Sequence, residues 1–140
     1  MFKNILIAYD GSEHSKAAAR IAGDIALHQE EGARLWVATV MDPIPREFGE
    51  PYFSQTIETR TIAGQKLIEE AVALIPGRVQ IQRELLFGTP AESILRAAET
   101  RECDLIVMGT HGISPLEGAL VGSQVQKVIN HAHCPVLVVR

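Results

Sequence analysis

Short apolar segments alternate with longer segments that carry a helical stripe along the whole 140-residue chain. The apolar segments predict five strands, at residues 4–9, 34–41, 79–87, 104–109 and 135–140. Strands joined by helices require a parallel sheet with right-handed crossovers. Three of the segments are continuously apolar, as in strands covered on both faces. The pattern therefore predicts an α/β fold, a three-layer doubly wound parallel five-stranded sheet, in a single domain over residues 1–140.

Sequence signals mark where the helices begin and end. Ser12 is placed to cap the first helix, and Gly32 is expected to end it. Thr89 is the predicted N-cap of the third helix, with Pro90 at its first position. Helical spacing predicts these inward-facing residues: Ala18, Ile21, Ala22 and Ile25; Ile57, Leu67, Ile68, Ala71, Leu74 and Ile75; Ala91, Ile94, Leu95 and Ala98; Val125, Val128, Ile129 and Ala132. The Pro- and Gly-containing segment 42–54 is predicted to be irregular, either a lid or an ordinary surface connection.

Composition excludes several classes of partner. A formal net charge of −4 without clustered Lys or Arg argues against nucleic acid. No apolar run approaches the roughly 20 residues that cross a bilayer, and no signal-peptide layout is present, so a cytoplasmic protein without membrane contact is expected. Cys103 and Cys134 lack C-x-x-C spacing, which agrees with a reducing compartment.

A glycine-rich segment, "GTHGISPLEGALVGS" at residues 109–123, connects the fourth strand to the fourth helix. In doubly wound sheets, ligands bind outside the carboxyl ends of the strands, where the strand order reverses. Glycines let backbone N–H groups approach an anion, and Gly122 and Ser123 open a helix whose N-terminus favours negative charge. The segment therefore predicts a phosphate site. The alternative is a flexible connection in which Ser123 is only a helix cap.

Asp10 follows the first strand, beside the expected phosphate site. A carboxylate repels phosphate but accepts hydrogen bonds from ribose hydroxyls. A carboxylate at one end of a site and an anion cradle at the other suit a nucleotide. Asp10 has a second interpretation, as a turn residue or helix cap. No G-x-x-x-x-G-K-[ST] and no G-x-G-x-x-G motif supports a P-loop or a dinucleotide fold.

The chain resembles the universal stress protein family, in its nucleotide-binding branch. "GTHG" at 109–112, nine residues and then "GS" at 122–123 match the family's G-x2-G-x9-G-[ST] signature. "ILIAYDGS", "DLIVMGTHG" and "VINHAHCPVLVVR" match the family's pattern in the same order over the whole chain. The resemblance implies strand order 3-2-1-4-5 (adenine nucleotide alpha hydrolase-like), ATP binding and a homodimer through the last strand, residues 136–140.

The resemblance also assigns the site residues. It implies that Asp10 contacts the ribose, that the Val40 backbone meets adenine, and that Ala8 and Met108 lie against the nucleoside. The residues implied to surround the phosphates are Gly109, Gly112, Gly122, Ser123 and Gln124. One departure from the family is that the spacer "ISPLEGALV" contains Glu117 and no Lys or Arg. ATP with Mg²⁺, ADP and AMP therefore all remain open as ligands.

The sequence contains two other candidate sites. His131, His133 and Cys134 are dense, but the pairs that structural metal sites use are separated, so no metal site is predicted. Ser123 with His111 lacks a third orienting group, so no catalytic residue is predicted. The predicted function is an ATP-binding regulatory protein of the stress response. The alternatives are a slow ATP hydrolase and a dimeric stress scaffold that binds no nucleotide.

Overall fold

The computed structural model describes residues 1–110 and 121–140. Its strands are Asn4–Ala8 (β1), Arg34–Met41 (β2), Gln80–Phe87 (β3), Leu105–Gly109 (β4) and Val136–Val139 (β5). Its α-helices are Glu13–Leu27 (α1), Tyr52–Val72 (α2), Pro90–Thr100 (α3) and Ser123–His131 (α4), and a short 3-10 helix spans Arg46–Phe48. Within the described ranges, no helix is both long and apolar enough to span a membrane.

The five strands form one parallel sheet in the order β3-β2-β1-β4-β5, which confirms the predicted fold class and topology. From β1 the chain moves outward to β2 and β3, and then returns to the other side of β1 for β4 and β5. The strand order therefore reverses between β1 and β4. Ile7 of β1 pairs with Val107 of β4, so the carboxyl ends of these two strands lie side by side.

Each face of the sheet is covered by helices. On the first face, α1 and α2 pack against the sheet, and buried residues of this core include Ile5, Ile7, Ala18, Ala22, Val37, Ile68, Ala71 and Val107. On the second face, α3 and α4 pack against the sheet, with Leu6, Trp36, Ala38, Ala91, Ile94, Ile106, Val125 and Val128 among the buried residues. Because β1, β2 and β4 are covered on both sides, both alternating sets of their side chains are apolar.

The structure corrects some helix details. Ile21 and Ile129, predicted to face inward, are 39% and 46% exposed. Helix α2 begins at Tyr52, inside the segment predicted to be irregular, and α1 ends at Leu27, before Gly32. The Ser12 cap is confirmed, since its hydroxyl oxygen accepts a hydrogen bond from Ser15 N–H at 3.2 Å.

Candidate functional site

The residues predicted to line a nucleoside lie together at the carboxyl end of the sheet. Ala8, Val40 and Met108 all pack on the α3/α4 face, and they come from three adjacent strands, β2, β1 and β4. Ala8 and Val40 are half-buried, whereas Met108 is buried. The carboxyl end of the sheet therefore has a mainly apolar surface at the point where the strand order reverses.

Asp10 lies at the same end of the sheet, two residues beyond the end of β1. Its Oδ1 accepts a hydrogen bond from Ser12 N–H at 2.9 Å, and its own N–H donates to Ser15 Oγ at 3.4 Å. Asp10 is therefore an Asx-turn residue that shapes the approach to α1. Its carboxylate is half-buried and has a second oxygen, so the turn role and a hydroxyl-binding role are compatible.

Buried hydrogen bonds hold the backbone just before Asp10. Tyr9 N–H donates to the Ala38 carbonyl at 2.8 Å, and Thr39 Oγ1 donates to the Tyr9 carbonyl at 3.0 Å. The Tyr9 hydroxyl donates to Glu70 Oε1 on α2 at 2.6 Å. Burial, followed by the bond to Glu70, raises the pKa of Tyr9. These bonds fix the position of the backbone just before Asp10, at the carboxyl end of the sheet.

Gly109, the last residue of β4, lies against the first turn of α1. A Cβ at this position would be 2.7 Å from His14 Cβ and 2.9 Å from the His14 carbonyl carbon. The next residue, Thr110, is buried, and its hydroxyl is hydrogen bonded to His14 Nδ1 at 2.7 Å. Gly109 therefore has a packing role that the sequence did not indicate, in addition to its predicted phosphate role.

The two ends of the glycine-rich segment meet. Gly122 N–H donates to the Thr110 carbonyl at 2.7 Å, which brings the end of β4 next to the start of α4. Gly122 is the backbone N-cap of α4, and the exposed Ser123 is its first residue. The N–H groups of the first turn of a helix have no partner inside the helix and favour an anion. Gly112, like His111 and Glu117, lies outside the described residues.

Gln124 connects α4 to the start of α3. Its Oε1 accepts a hydrogen bond from Ala91 N–H at 3.0 Å. Thr89 is the backbone N-cap of α3 but its side chain makes no capping bond, so the amide of Gln124 supplies the cap. Because the Gln124 oxygen accepts from Ala91 N–H, the Nε2 group of Gln124 is the part of its amide that can donate to a phosphate.

Replacing Gln124 with alanine should lower the free energy of unfolding by about 1–2 kcal/mol, because the N–H of buried Ala91 loses its acceptor. Gln124→Glu keeps an acceptor oxygen and adds a negative charge near a helix N-terminus, so its stability should stay close to that of the original chain. Urea unfolding of both variants is the measurement. Equal stability of the alanine and glutamate variants would contradict the capping role.

An arginine holds the backbone that follows β2. Arg60 of α2 donates from Nη1 to the carbonyls of Asp42 and Pro43, at 2.9 and 2.8 Å. The connection from β2 to α2 is therefore tied down at its first residues, next to Val40. Farther along it, the Phe48 and Tyr52 rings are in edge contact, with centroids 5.4 Å apart, and both are exposed. No local sequence signal indicated Arg60, Thr39 or Glu70, since each acts across elements.

His131 at the end of α4, and His133 and Cys134 in the connection to β5, form no metal cluster with other described residues. His131 Nδ1 lies 2.9 Å from the carbonyl of Lys127 at the end of α4, and His133 is exposed. Across residues 1–110 and 121–140, no group of three or more His, Cys, Asp or Glu is arranged to hold a metal ion. Cys103 and Cys134 are half-buried, free thiols that line one cavity, and burial is the main cause that raises the pKa of Cys103 to about 12.

Comparison with known proteins gives the family. The model of the universal stress protein family matches residues 1–140. A universal stress protein of Thermus aquaticus is 47% identical over 140 residues, the full length of both chains.

Solved structures agree with this family assignment. The universal stress protein UspA of Lactobacillus plantarum has a TM-score of 0.83 and 26% identity, and covers 99% of this chain and 97% of its own. Two more distant structures have the same fold, with 23% and 18% identity and TM-scores of 0.68 and 0.65. The alignments cover 99% of this chain and 97% and 98% of theirs; the first is a universal stress protein in complex with cAMP, and the second is the Archaeoglobus fulgidus universal stress protein in complex with dAMP. This chain belongs to the universal stress protein family.

Proposed function

We propose that this protein is a regulatory protein that binds an adenine nucleotide across the carboxyl ends of β1, β2 and β4. The observation that carries the proposal is that Ala8, Val40 and Met108 share one sheet face at the strand-order reversal, beside Asp10 and the start of α4. An apolar surface flanked by a carboxylate and a helix N-terminus matches the three chemical parts of a nucleotide.

In this proposal the nucleoside binds at the carboxyl ends of the strands. The adenine ring meets the backbone of Val40, whose neighbourhood Arg60 holds through the carbonyls of Asp42 and Pro43. Ala8 and Met108 supply apolar contact. The Asp10 carboxylate accepts hydrogen bonds from the ribose hydroxyls through the oxygen that does not bind Ser12 N–H.

The phosphates bind at the glycine-rich segment. The residues proposed to surround them are Gly109, Gly112, Gly122, Ser123 and Gln124. The short distance between Gly122 and Thr110 supports this, because it brings the carboxyl end of β4 and the N-terminus of α4 to one point. No Lys or Arg occurs between Arg101 and Lys127, so we propose that ATP binds with Mg²⁺, which offsets the missing cation.

The complexes of the two distant family members support an adenine ligand. Their ligands, cAMP and dAMP, share the adenine ring and one phosphate, but the sugar is ribose in cAMP and 2′-deoxyribose in dAMP. The common part is therefore the part that Val40 and the start of α4 would bind here, and it contains no sugar hydroxyl for Asp10. In this proposal the glycine-rich segment determines how many phosphates the ligand carries.

Calorimetric titration of nucleotide-stripped protein with ATP, ADP and AMP, each with and without Mg²⁺, tests the proposal. We expect micromolar ATP binding, a weaker response to AMP, and loss of the difference between them in Gly122→Val, which blocks phosphate approach. No heat with any nucleotide, together with no retained ligand by native mass spectrometry, would instead favour a nucleotide-independent scaffold. Multiple turnovers of ATP that Gly122→Val abolishes would favour the slow hydrolase.

A homodimer through residues 136–140 belongs to the same proposal. β5 is an edge strand of the sheet, and Leu137 on it is 37% exposed, so pairing with a second copy would cover an apolar edge. Sedimentation equilibrium measures whether the protein is a dimer.

A cytoplasmic location also belongs to the proposal, since Cys103 and Cys134 are free thiols.

A further inference from the structure

Thr110, the first residue after β4, uses its N–H, its carbonyl and its hydroxyl to contact three different elements. Its N–H donates to the Val139 carbonyl of β5 at 2.9 Å, and its carbonyl accepts from the N–H of Gly122, the N-cap of α4, at 2.7 Å. Its hydroxyl is hydrogen bonded to Nδ1 of His14 on α1 at 2.7 Å. Because Thr110 is buried, little water competes for these bonds. Thr110 therefore joins β5, α1 and α4 at the carboxyl end of the sheet.

The bond between Thr110 and His14 is the one of these three that depends on side chains. The two backbone bonds can form with almost any residue at position 110, whereas the bond to α1 requires a hydroxyl there and a polar atom at the place of the imidazole Nδ1. A hydroxyl both donates and accepts, so the bond can form with either tautomer of the imidazole. This side-chain pair therefore makes the connection between α1 and the end of β4 specific to the sequence.

The first turn of α1 is itself held in place, so His14 is a fixed point for Thr110. Asp10 Oδ1 accepts from Ser12 N–H at 2.9 Å, and Ser12 Oγ caps the helix by accepting from Ser15 N–H at 3.2 Å. On the opposite side, β4 packs so closely that a Cβ at Gly109 would be 2.7 Å from His14 Cβ. The turn that contains Asp10 and the start of α4 are therefore connected through His14 and Thr110.

From these contacts we propose that His14 is a positioning residue for the phosphates: through Thr110, it holds the N-terminus of α4 at a fixed distance from Asp10. This inference rests on the proposed nucleotide site, in which Asp10 binds the ribose and the start of α4 binds the phosphates. A nucleotide that contacts both ends binds more tightly when the distance between them is set before binding, because less ordering is needed. His14 acts through Thr110 and touches no ligand.

The composition of the glycine-rich segment makes this positioning important. No Lys or Arg occurs between Arg101 and Lys127, so the backbone N–H groups at the start of α4 are main donors for the phosphates in the proposed site. A hydrogen bond weakens steeply with distance and angle, whereas the attraction of a flexible lysine for an anion changes slowly with distance. A small displacement of α4 therefore has a large effect on phosphate binding.

The amide hydrogen exchange of Gly122 in nucleotide-free protein, measured by NMR, reports on the bond to Thr110 directly. His14→Leu and His14→Asn are a matched pair of similar shape, and only asparagine can place a polar atom near the position of Nδ1. We expect about tenfold faster exchange in His14→Leu and nearly unchanged exchange in His14→Asn. The control is His28→Leu, which removes an Nδ1 contact of 2.8 Å to the Asp24 carbonyl at the other end of α1 and should leave Gly122 unchanged.

Titration with ATP and with adenosine, which lacks phosphates, tests the effect on the ligand. His14→Leu should bind ATP about tenfold more weakly and adenosine within about twofold of the original chain, and His14→Asn should restore ATP binding. Leucine is the better helix former of the two, so helix propensity predicts the opposite order. Thr110→Val should match His14→Leu, and the double variant should be no weaker, because both residues act through one bond.

The outcomes distinguish this inference from the proposed function. Unchanged Gly122 exchange in His14→Leu, equal weakening of ATP and adenosine, or the same loss in His14→Asn would each overturn the inference. Additive losses in the His14→Leu/Thr110→Val double variant would overturn it as well. Faster Gly122 exchange in His14→Leu without any ATP binding to the original chain would overturn the proposed function, and with it the phosphate role of His14, while the contact to Thr110 would stand.

Discussion

Gly109→Ala is expected to lower the free energy of unfolding by about 3 kcal/mol, one of the largest effects of any single methyl group in this chain. The added Cβ would be 2.7 Å from His14 Cβ, 2.9 Å from His14 C and 3.0 Å from Ser15 N. Two of these three atoms are backbone atoms of α1, so no side-chain rotation relieves the contact. Helix α1 would have to move away from β4, which would also stretch the 2.7 Å hydrogen bond between Thr110 and His14.

Urea unfolding followed by far-ultraviolet circular dichroism measures this loss. Gly77→Ala is the matched control, because a Cβ at Gly77 meets nothing within 4 Å and its backbone does not have a positive φ. The control should change stability by less than about 0.5 kcal/mol. If Gly109→Ala and Gly77→Ala were equally stable, the close approach of α1 to β4 would be wrong.

This result would change how nucleotide-binding data are interpreted. The family resemblance implies a phosphate contact for Gly109, but the structure also gives this residue a packing role. Lost binding in a Gly109 variant would therefore follow from a displaced α1 as readily as from a blocked phosphate. Gly122 and Asp10 are better positions for testing the site.

The strands and their parallel doubly wound arrangement were predictable from local sequence for a physical reason, whereas the strand order 3-2-1-4-5 was implied by the family resemblance. A strand covered on both faces is continuously apolar, and helices between such strands leave few alternatives to a parallel doubly wound sheet. The inward faces of the helices were less predictable. Ile21 and Ile129 have the expected helical spacing but are 39% and 46% exposed. Spacing indicates the side of a helix that faces the sheet, but not how far the sheet extends beneath that side.

The contacts that build the site were mostly not predictable. Gln124 and Ala91 are 33 residues apart, and Thr110 and His14 are 96 residues apart. Such bonds depend on which strands become neighbours, so a local motif cannot indicate them. Thr89 illustrates the same limit. It is a favourable capping residue, but the side-chain cap of α3 comes from the amide oxygen of Gln124. The spacing of cysteines likewise did not indicate that Cys103 and Cys134 line one cavity.

Asp10→Ala is expected to weaken ATP binding about tenfold to a hundredfold, which corresponds to about 1–3 kcal/mol for a hydrogen bond to a charged group. The proposed cause is loss of the carboxylate oxygen that accepts from the ribose. Asp10 Oδ1 also accepts from Ser12 N–H at 2.9 Å, so the alanine variant loses the turn as well. Asp10→Asn separates these roles, because its amide oxygen can keep the bond to Ser12 N–H.

Titration of three proteins with two ligands resolves the cause. The original chain, Asp10→Ala and Asp10→Asn are each titrated with ATP and with 2′,3′-dideoxy-ATP, which lacks the ribose hydroxyls. If Asp10 binds the ribose, both substitutions weaken ATP binding, and Asp10→Asn has little effect on the dideoxy ligand, because the partner of the carboxylate is already absent. Equal weakening for both ligands would mean that Asp10 acts only through the turn that leads into α1. The ribose contact is thus measured as the coupling between one side chain and two hydroxyl groups, independently of any effect of the substitution on folding.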